Sequence, residues 1–155
     1  MGQSHSSWGK GWPGGATVPL STLKFDGRGG ETTFGQFATE LIPLALLCLA
    51  ETERRGYIVG KGAQDDWAYN NRNIAGTNIP SNHSRGTALD INARDNAYGD
   101  HSTAFPPNIA HEVWEKFGWE WGGDWGTPDA MHFEYLPARS TVGKNTRKAR
   151  RKFRD

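Results

Sequence analysis

Three side chains in this sequence have the types and spacing to hold a metal ion. His83 and Asp90 stand seven positions apart in SNHSRGTALDIN (81–92), and His132 lies in MHFEYL (131–136). Two imidazoles and a carboxylate suit Zn²⁺, and a set of three protein ligands leaves the fourth tetrahedral position to water, as in catalytic zinc sites. Such a water needs a base. Asp129, three residues before His132, is near enough to take a proton and return it to a leaving amine without being a ligand itself. Arg72, in the loop ahead of His83, is the candidate cation for steadying a developing oxyanion. Each residue also has a plainer reading. His83 could be a surface loop histidine, His132 a hydrogen-bonded sheet histidine, Asp129 a turn aspartate after Pro128, and Arg72 half of a surface ion pair. Asp90 is harder to explain away, because aspartate is depleted in strands. His5, His101 and His111 receive no metal role; His111 is expected half-exposed on a helix.

The elements that position these residues follow from periodicity. GTALDIN (86–92) alternates, with Leu89 and Ile91 on one face and Ala88, Asp90 and Asn92 on the other, which predicts a strand. In MHFEYL, His132 shares a face with Glu134, while Met131, Phe133 and Tyr135 take the opposite one. If the two strands are neighbours, Asp90 and His132 converge. An odd spacing puts His83 on the wrong face of a straight strand, so SRG (84–86) must turn, with Gly86 permitting the bend. TTFGQFATELIPLALLCLAETERRG (32–56) predicts the main helix, capped by Thr32 or Thr33 and stopped by Gly56, with Pro43 marking a kink or a later start. GYIVG (56–60) predicts a short strand, and residues 63–82 a long loop. PPNIAHEVWEKFG (106–118) predicts a second helix ended by Gly118. WEWGG (119–123) begins a further short strand. Local connections of this kind imply an α+β domain: a small antiparallel sheet packed with two main helices.

Composition narrows the class further. A chain of 155 residues fits one domain, and seven Trp, seven Phe and four Tyr supply apolar bulk despite a hydrophobic content of 35%. The single Cys48 excludes a disulfide framework and a cysteine-rich zinc finger. Residues 1–16 read as an irregular lead-in without the apolar run of a signal peptide, and residues 41–50 are too short to span a bilayer. Synthesis in a cytoplasm and no membrane insertion are therefore expected. The net charge of +1 conceals an asymmetry: residues 136–155 hold eight of the eighteen Lys and Arg and one acid. A basic tail over 138–155, after a catalytic domain over 1–137, is either a loosely ordered, solvated end or a contact for an anionic polymer.

These motifs resemble a known family. SNHSRGTALDIN is similar to the S-x-H-x-x-G-x-A-x-D signature of VanY-like zinc D-alanyl-D-alanine carboxypeptidases and L-alanyl-D-glutamate endopeptidases, which share the Hedgehog/DD-peptidase fold. WGGDWGTPDAMHFEY resembles their closing motif, in which an acid stands three residues before the last histidine. The loop DDWAYNNRNIAGTNIPSNHSRG looks closest to the version in bacteriophage endolysins, and the resemblance spans about residues 56–136. It implies zinc ligands at His83, Asp90 and His132, a catalytic base at Asp129, a substrate or oxyanion arginine at Arg72, and Ser81 lining the site. Some members carry that arginine in an S-G-[FY]-R motif, which GYIVGKG lacks. Ser84 and Arg85 fill spacer positions that bear on substrate choice. Trp67, Tyr69, Trp121 and Trp125 are candidates for walls of the groove or for the core.

The function so implied is zinc-dependent hydrolysis of a peptidoglycan stem-peptide bond, of the L-Ala–D-Glu endopeptidase or D-Ala–D-Ala carboxypeptidase type. The protein would be a monomeric phage or prophage lysin, released by a holin or delivered in a virion to the cell wall. Peptidoglycan is the expected partner, and no nucleic acid. The alternatives are an inactive, zinc-stabilised wall-binding module of the same fold, which the presence of Asp129 speaks against, and a small-dipeptide hydrolase.

Overall fold

The computed structural model describes residues 2–60 and 65–154. Residues 1 and 155, at the ends of the expected lead-in and basic tail, and 61–64, of which 63 and 64 begin the expected long loop, lie outside the described residues. The architecture is α+β, with two small antiparallel sheets and three helices. Strands β1 (Leu20–Gly27) and β2 (Gly30–Ala38) form a hairpin. Helix α1 (Ile42–Arg54) follows, and then a long irregular stretch leads to β3 (Ala88–Asp90). Helix α2 (Pro107–Ile109) runs on into a π-helical turn (Ala110–Trp114) and a 3-10 turn (Glu115–Phe117). Strands β4 (Trp119–Trp121) and β5 (His132–Tyr135) complete the second sheet, in the order β3-β5-β4, and helix α3 (Val142–Phe153) closes the fold.

The helix expected from residue 32 begins ten residues later. Residues 32–38 belong to β2, and Thr39–Leu41 form a 3-10 turn before α1. The apolar residues Phe34, Phe37, Ala38 and Leu41 are spaced like one face of a helix, which is why the periodicity misleads. The cause is a bulge: Leu23 pairs with Gly35 but Lys24 with Thr33, so the register slips and the strand's period of two is broken. Pro43 sits in the first turn of α1, where its missing N–H costs nothing.

GYIVG is not a strand. Gly56 (φ 108°) ends α1, and the next backbone groups find side-chain partners instead of a sheet. Val59 N donates to Glu53 Oε2 at 3.0 Å, Gly60 N to Asn92 Oδ1 at 3.2 Å, and the Ile58 carbonyl accepts from Asn92 Nδ2 at 2.8 Å. The second helix keeps its expected extent in mixed form and ends at Gly118 (φ 102°).

The core lies between these layers. Leu89 and Phe133, on the apolar faces of β3 and β5, are fully buried, as are Leu44, Ala45, Cys48 and Leu49 of α1. Trp114 joins the two regions: its ring lies 4.4 Å from Phe133 and its Nε1 donates to Thr52 Oγ1 at 2.9 Å. The lead-in is irregular but docked, with Trp8 fully buried against Tyr135 and donating to the Pro137 carbonyl at 2.7 Å. The basic segment is also docked. Val142, Thr146 and Ala149 of α3 are buried, and Phe153 meets Phe117 at 5.1 Å, so residues 142–153 are a packed helix and not a loose end. Among the described residues, no helix is long and apolar enough to cross a membrane.

Candidate metal centre

Strand pairing brings the two motifs together. Asp90 lies directly opposite His132, with Leu89 opposite Phe133 and Ala88 opposite Glu134. His83 arrives by the turn that its odd spacing requires. Residues Asn82–Arg85 form a 3-10 turn, Ser81 Oγ accepts from His83 N at 3.2 Å at its start, and Gly86 (φ 75°) reverses the chain at its end. A side chain at Gly86 would be strained by that φ, and its Cβ would lie 2.7 Å from Leu20 Cδ2.

Asp90 sits between the imidazoles. His83 Nε2 is 3.2 Å from Asp90 Oδ2, and His132 Nδ1 is 3.2 Å from Asp90 Oδ1. All three residues are buried, and one donor atom from each lies within 4.8 Å of the others. Ligands of a tetrahedral zinc with bonds of about 2.0–2.1 Å stand about 3.4 Å apart, so the two close pairs have the spacing a shared ion would demand. The remaining ring nitrogens are already engaged: His83 Nδ1 meets the Ala68 carbonyl at 2.6 Å, and His132 Nε2 meets Glu134 Oε1 at 2.6 Å. These contacts place the ring protons on the outer nitrogens and aim the inner lone pairs at a common point. The donor set fits Zn²⁺.

The electrostatics agree. Burial opposes ionisation of Asp90, yet the two histidines beside it hold its carboxyl well below the usual carboxylate range. Burial likewise opposes charging His132, but its bonds to Asp90 and Glu134 push it up to about 10. The site therefore favours positive charge between Asp90 and the imidazoles, which either a proton on His132 Nδ1 or a divalent cation in its place would supply.

Asp129 lines the same cleft of about 530 Å³ as His83, Asp90 and His132. Its backbone is pinned, with its N–H donating to the Gly122 carbonyl at 2.8 Å and its carbonyl accepting from His132 N at 3.0 Å. Gly122 makes this approach possible, since a Cβ there would lie 2.3 Å from the Asp129 carbonyl oxygen. Asp129 Oδ1 is buried without a hydrogen-bond partner, and burial pushes the carboxyl above its ordinary range.

The other expected residues divide. Ser81 and Arg72 line the cleft; the exposed Arg72 donates from Nη1 to the Asn73 carbonyl at 3.1 Å, and its carbonyl accepts from Ser81 N. Trp125 lies 5.3 Å from the His132 ring. Trp67 and Tyr69 line an adjoining depression of about 280 Å³ that shares Arg72, His83 and Asp90 with the cleft. Trp121 belongs to the core, stacked on Phe133 with its Nε1 donating to the Ala130 carbonyl at 2.8 Å. Ser84 and Arg85 do not line the cleft. Arg85 binds the Gly9 and Lys10 carbonyls at 3.0 Å each, and Ser84 Oγ accepts from Trp12 N at 3.0 Å, so both hold the docked lead-in. His111 is exposed on the second helix as expected. Glu134, which holds His132 Nε2, has no place in the family signature; its spacing of two along the strand, on the face of His132, is the sequence signal for it.

A family model described as D-alanyl-D-alanine carboxypeptidase matches residues 75–135, under half of the chain. That span includes His83, Asp90, Asp129 and His132 and excludes Trp67, Tyr69 and Arg72. The α+β architecture is compatible with a peptidase fold of this family. Searches of curated proteins and of solved structures returned no match.

Proposed function

We propose that this chain is a zinc-dependent peptidase of the D-alanyl-D-alanine carboxypeptidase family, cutting a stem-peptide bond of peptidoglycan. The observation that carries this reading is the convergence of three buried donors on one cleft beside a buried carboxylate oxygen that has no partner. The family match supports a peptidase. His83, Asp90 and His132 would hold the ion, which when bound acidifies a water and polarises the scissile carbonyl.

The chain's own residues do the rest. Asp129 accepts a proton at its free Oδ1 during attack and delivers it to the leaving amine, a transfer favoured by the raised affinity for protons that burial gives it. Arg72, exposed at the rim, offers a guanidinium to a substrate carboxylate or to the charge that develops on the carbonyl oxygen. Trp125, tilted 46° to the His132 ring in the same cleft, would contact a bound substrate on that side. The resemblance of the loop over residues 65–86 to endolysin sequences extends the proposal to a phage or prophage lysin, acting at the cell wall after release through a holin pore or delivery in a virion.

The test is digestion of purified peptidoglycan with mass analysis of the fragments, which also identifies the bond. Wild type should release stem fragments, and a chelator should abolish the release. Asp129→Ala should keep stoichiometric zinc and lose about 10²–10⁴ in rate. Wild-type rates from Asp129→Ala would remove the proton-transfer role; zinc binding without any cleavage by wild type would favour a wall-binding module.

A further inference from the structure

A second concavity, of about 580 Å³, shares no lining residue with the metal cleft. It is an open groove between α1, the 3-10 turn at residues 115–117 and α3, lined by Arg54, Lys116, Phe117, Lys148, Arg151 and Lys152. Five of its six lining residues are cationic and none is acidic. Arg54 is engaged, donating to both carboxylate oxygens of Glu51 at 2.6–2.7 Å. Lys116, Lys148, Arg151 and Lys152 form no ion pair among the described residues and are exposed.

The helix that supplies three of these cations is electrostatically one-sided. Residues 142–154 contain seven Lys and Arg and no acid. Lys144 and Lys148, Arg147 and Arg151, Lys148 and Lys152, and Arg150 and Arg154 are like charges four residues apart, a spacing that destabilises a helix. Helix α3 persists because Val142, Thr146 and Ala149 bury one face and Phe153 packs on Phe117. Its outward face remains an uncompensated positive field bordering a groove.

We infer that this groove binds a phosphodiester polymer of the cell wall, which holds the enzyme on its substrate. The inference rests on the peptidase reading for its choice of partner, and on the groove itself for its chemistry. A polyanion relieves the repulsion along α3, and a groove admits one strand of it. Among the described residues the exposed large apolar ones are Trp12, Trp67, Ile79 and Tyr98, none of them on α1, the 115–117 turn or α3. The groove thus has no exposed aromatic platform on which bases of a single-stranded nucleic acid would stack. It also presents no exposed large apolar residue, among those described, to enter a lipid headgroup layer.

The experiment is co-sedimentation of the full chain with sacculi carrying bound poly(glycerol phosphate), and with the same sacculi after hydrofluoric acid removes it. Binding should be about tenfold or more weaker on stripped sacculi at 0.15 M salt, and should fall steeply as salt rises. The triple variant Lys148→Gln, Arg151→Gln, Lys152→Gln should lose the same factor on intact sacculi, while its melting temperature and its hydrolysis of a soluble stem peptide match wild type. The milder pair Lys148→Gln, Lys152→Gln should lose an intermediate factor, which keeps the test valid if the triple variant misfolds. Equal binding to stripped and intact sacculi would overturn the inference, as would tighter binding to a DNA duplex than to free poly(glycerol phosphate). Failure of soluble-peptide hydrolysis by wild type would instead count against the peptidase reading.

Discussion

Two trios of histidine and carboxylate exist among the described residues, one of two histidines and an aspartate and the other of one histidine and two acids, and they differ also in burial and anchoring. His83, Asp90 and His132 are buried on paired strands, with each imidazole's outer nitrogen anchored by a carbonyl or a carboxylate. His111, Glu115 and Asp124 lie at the surface, where His111 Nε2 reaches Asp124 Oδ1 at 2.9 Å and Glu115 Oε1 at 3.2 Å. In the first trio the inner lone pairs are held at a common point by contacts outside the trio. In the second, one imidazole nitrogen serves both carboxylates and the group satisfies itself. Besides the second imidazole, burial and outer anchoring set the first trio apart, because they keep its donors from water and fix the orientation of both rings.

The sharpest way to break this contrast is to remove one histidine from each trio. His132→Ala should lose both zinc and peptidase activity, whereas His111→Ala should keep one zinc per chain and activity within about twofold of wild type, as expected for a solvent-exposed pair. Zinc content after dialysis decides it. A loss of zinc from His111→Ala would make the surface trio a metal site as well.

A smaller effect should follow from the anchoring of His132. Glu134→Ala should weaken zinc binding about 10–100-fold in a chelator competition. Glu134→Gln should recover most of that loss, since its amide oxygen can still accept from His132 Nε2. Unchanged zinc affinity in Glu134→Ala would show that strand geometry alone orients the ring.

The smallest effect concerns the surface trio and pH. Burial, together with its bond to Asp124, pushes Glu115 up to about 7, with Glu120 adding to the rise and His111 opposing it. Its folded-state pKa lies above the ordinary carboxyl value, so the folded protein holds that proton more tightly than the unfolded chain. The resulting stabilisation is complete below pH ~4.5 and is lost as pH rises towards about 7. The bond to Asp124 also raises His111, whose contribution is complete below pH ~6.5 and is lost as pH rises through its folded value. Glu115→Gln should therefore flatten the decline in urea midpoint between pH ~4.5 and 7, modestly, because Glu115 is only half-buried. A slope identical to that of wild type would remove Glu115 as its source.

Much of the candidate metal centre is legible in the sequence. Alternation along β3 and β5 put Asp90 and His132 on polar faces, and the odd spacing to His83 demanded the turn that Gly86 makes. The N-terminal third was not legible in the same way. A bulge at Leu23/Lys24 gives β2 a helix-like apolar spacing, and the hairpin partner β1 is defined by its pairing across the turn. GYIVG had strand composition, but Glu53 and Asn92 supply its hydrogen bonds, a matter of tertiary neighbours that local propensity does not encode.

By itself the sequence determined which side chains could ligate and the faces they would occupy, since side-chain direction along a strand follows from backbone geometry alone. Only the tertiary structure decided that β3 pairs with β5 in the register placing Asp90 against His132, and that the Ala68 carbonyl anchors His83. It also decided that the basic segment folds back as a helix bordering a cationic groove. Those outcomes depend on contacts between residues far apart in the chain, where burial and charge are set by what arrives alongside and not by what is adjacent.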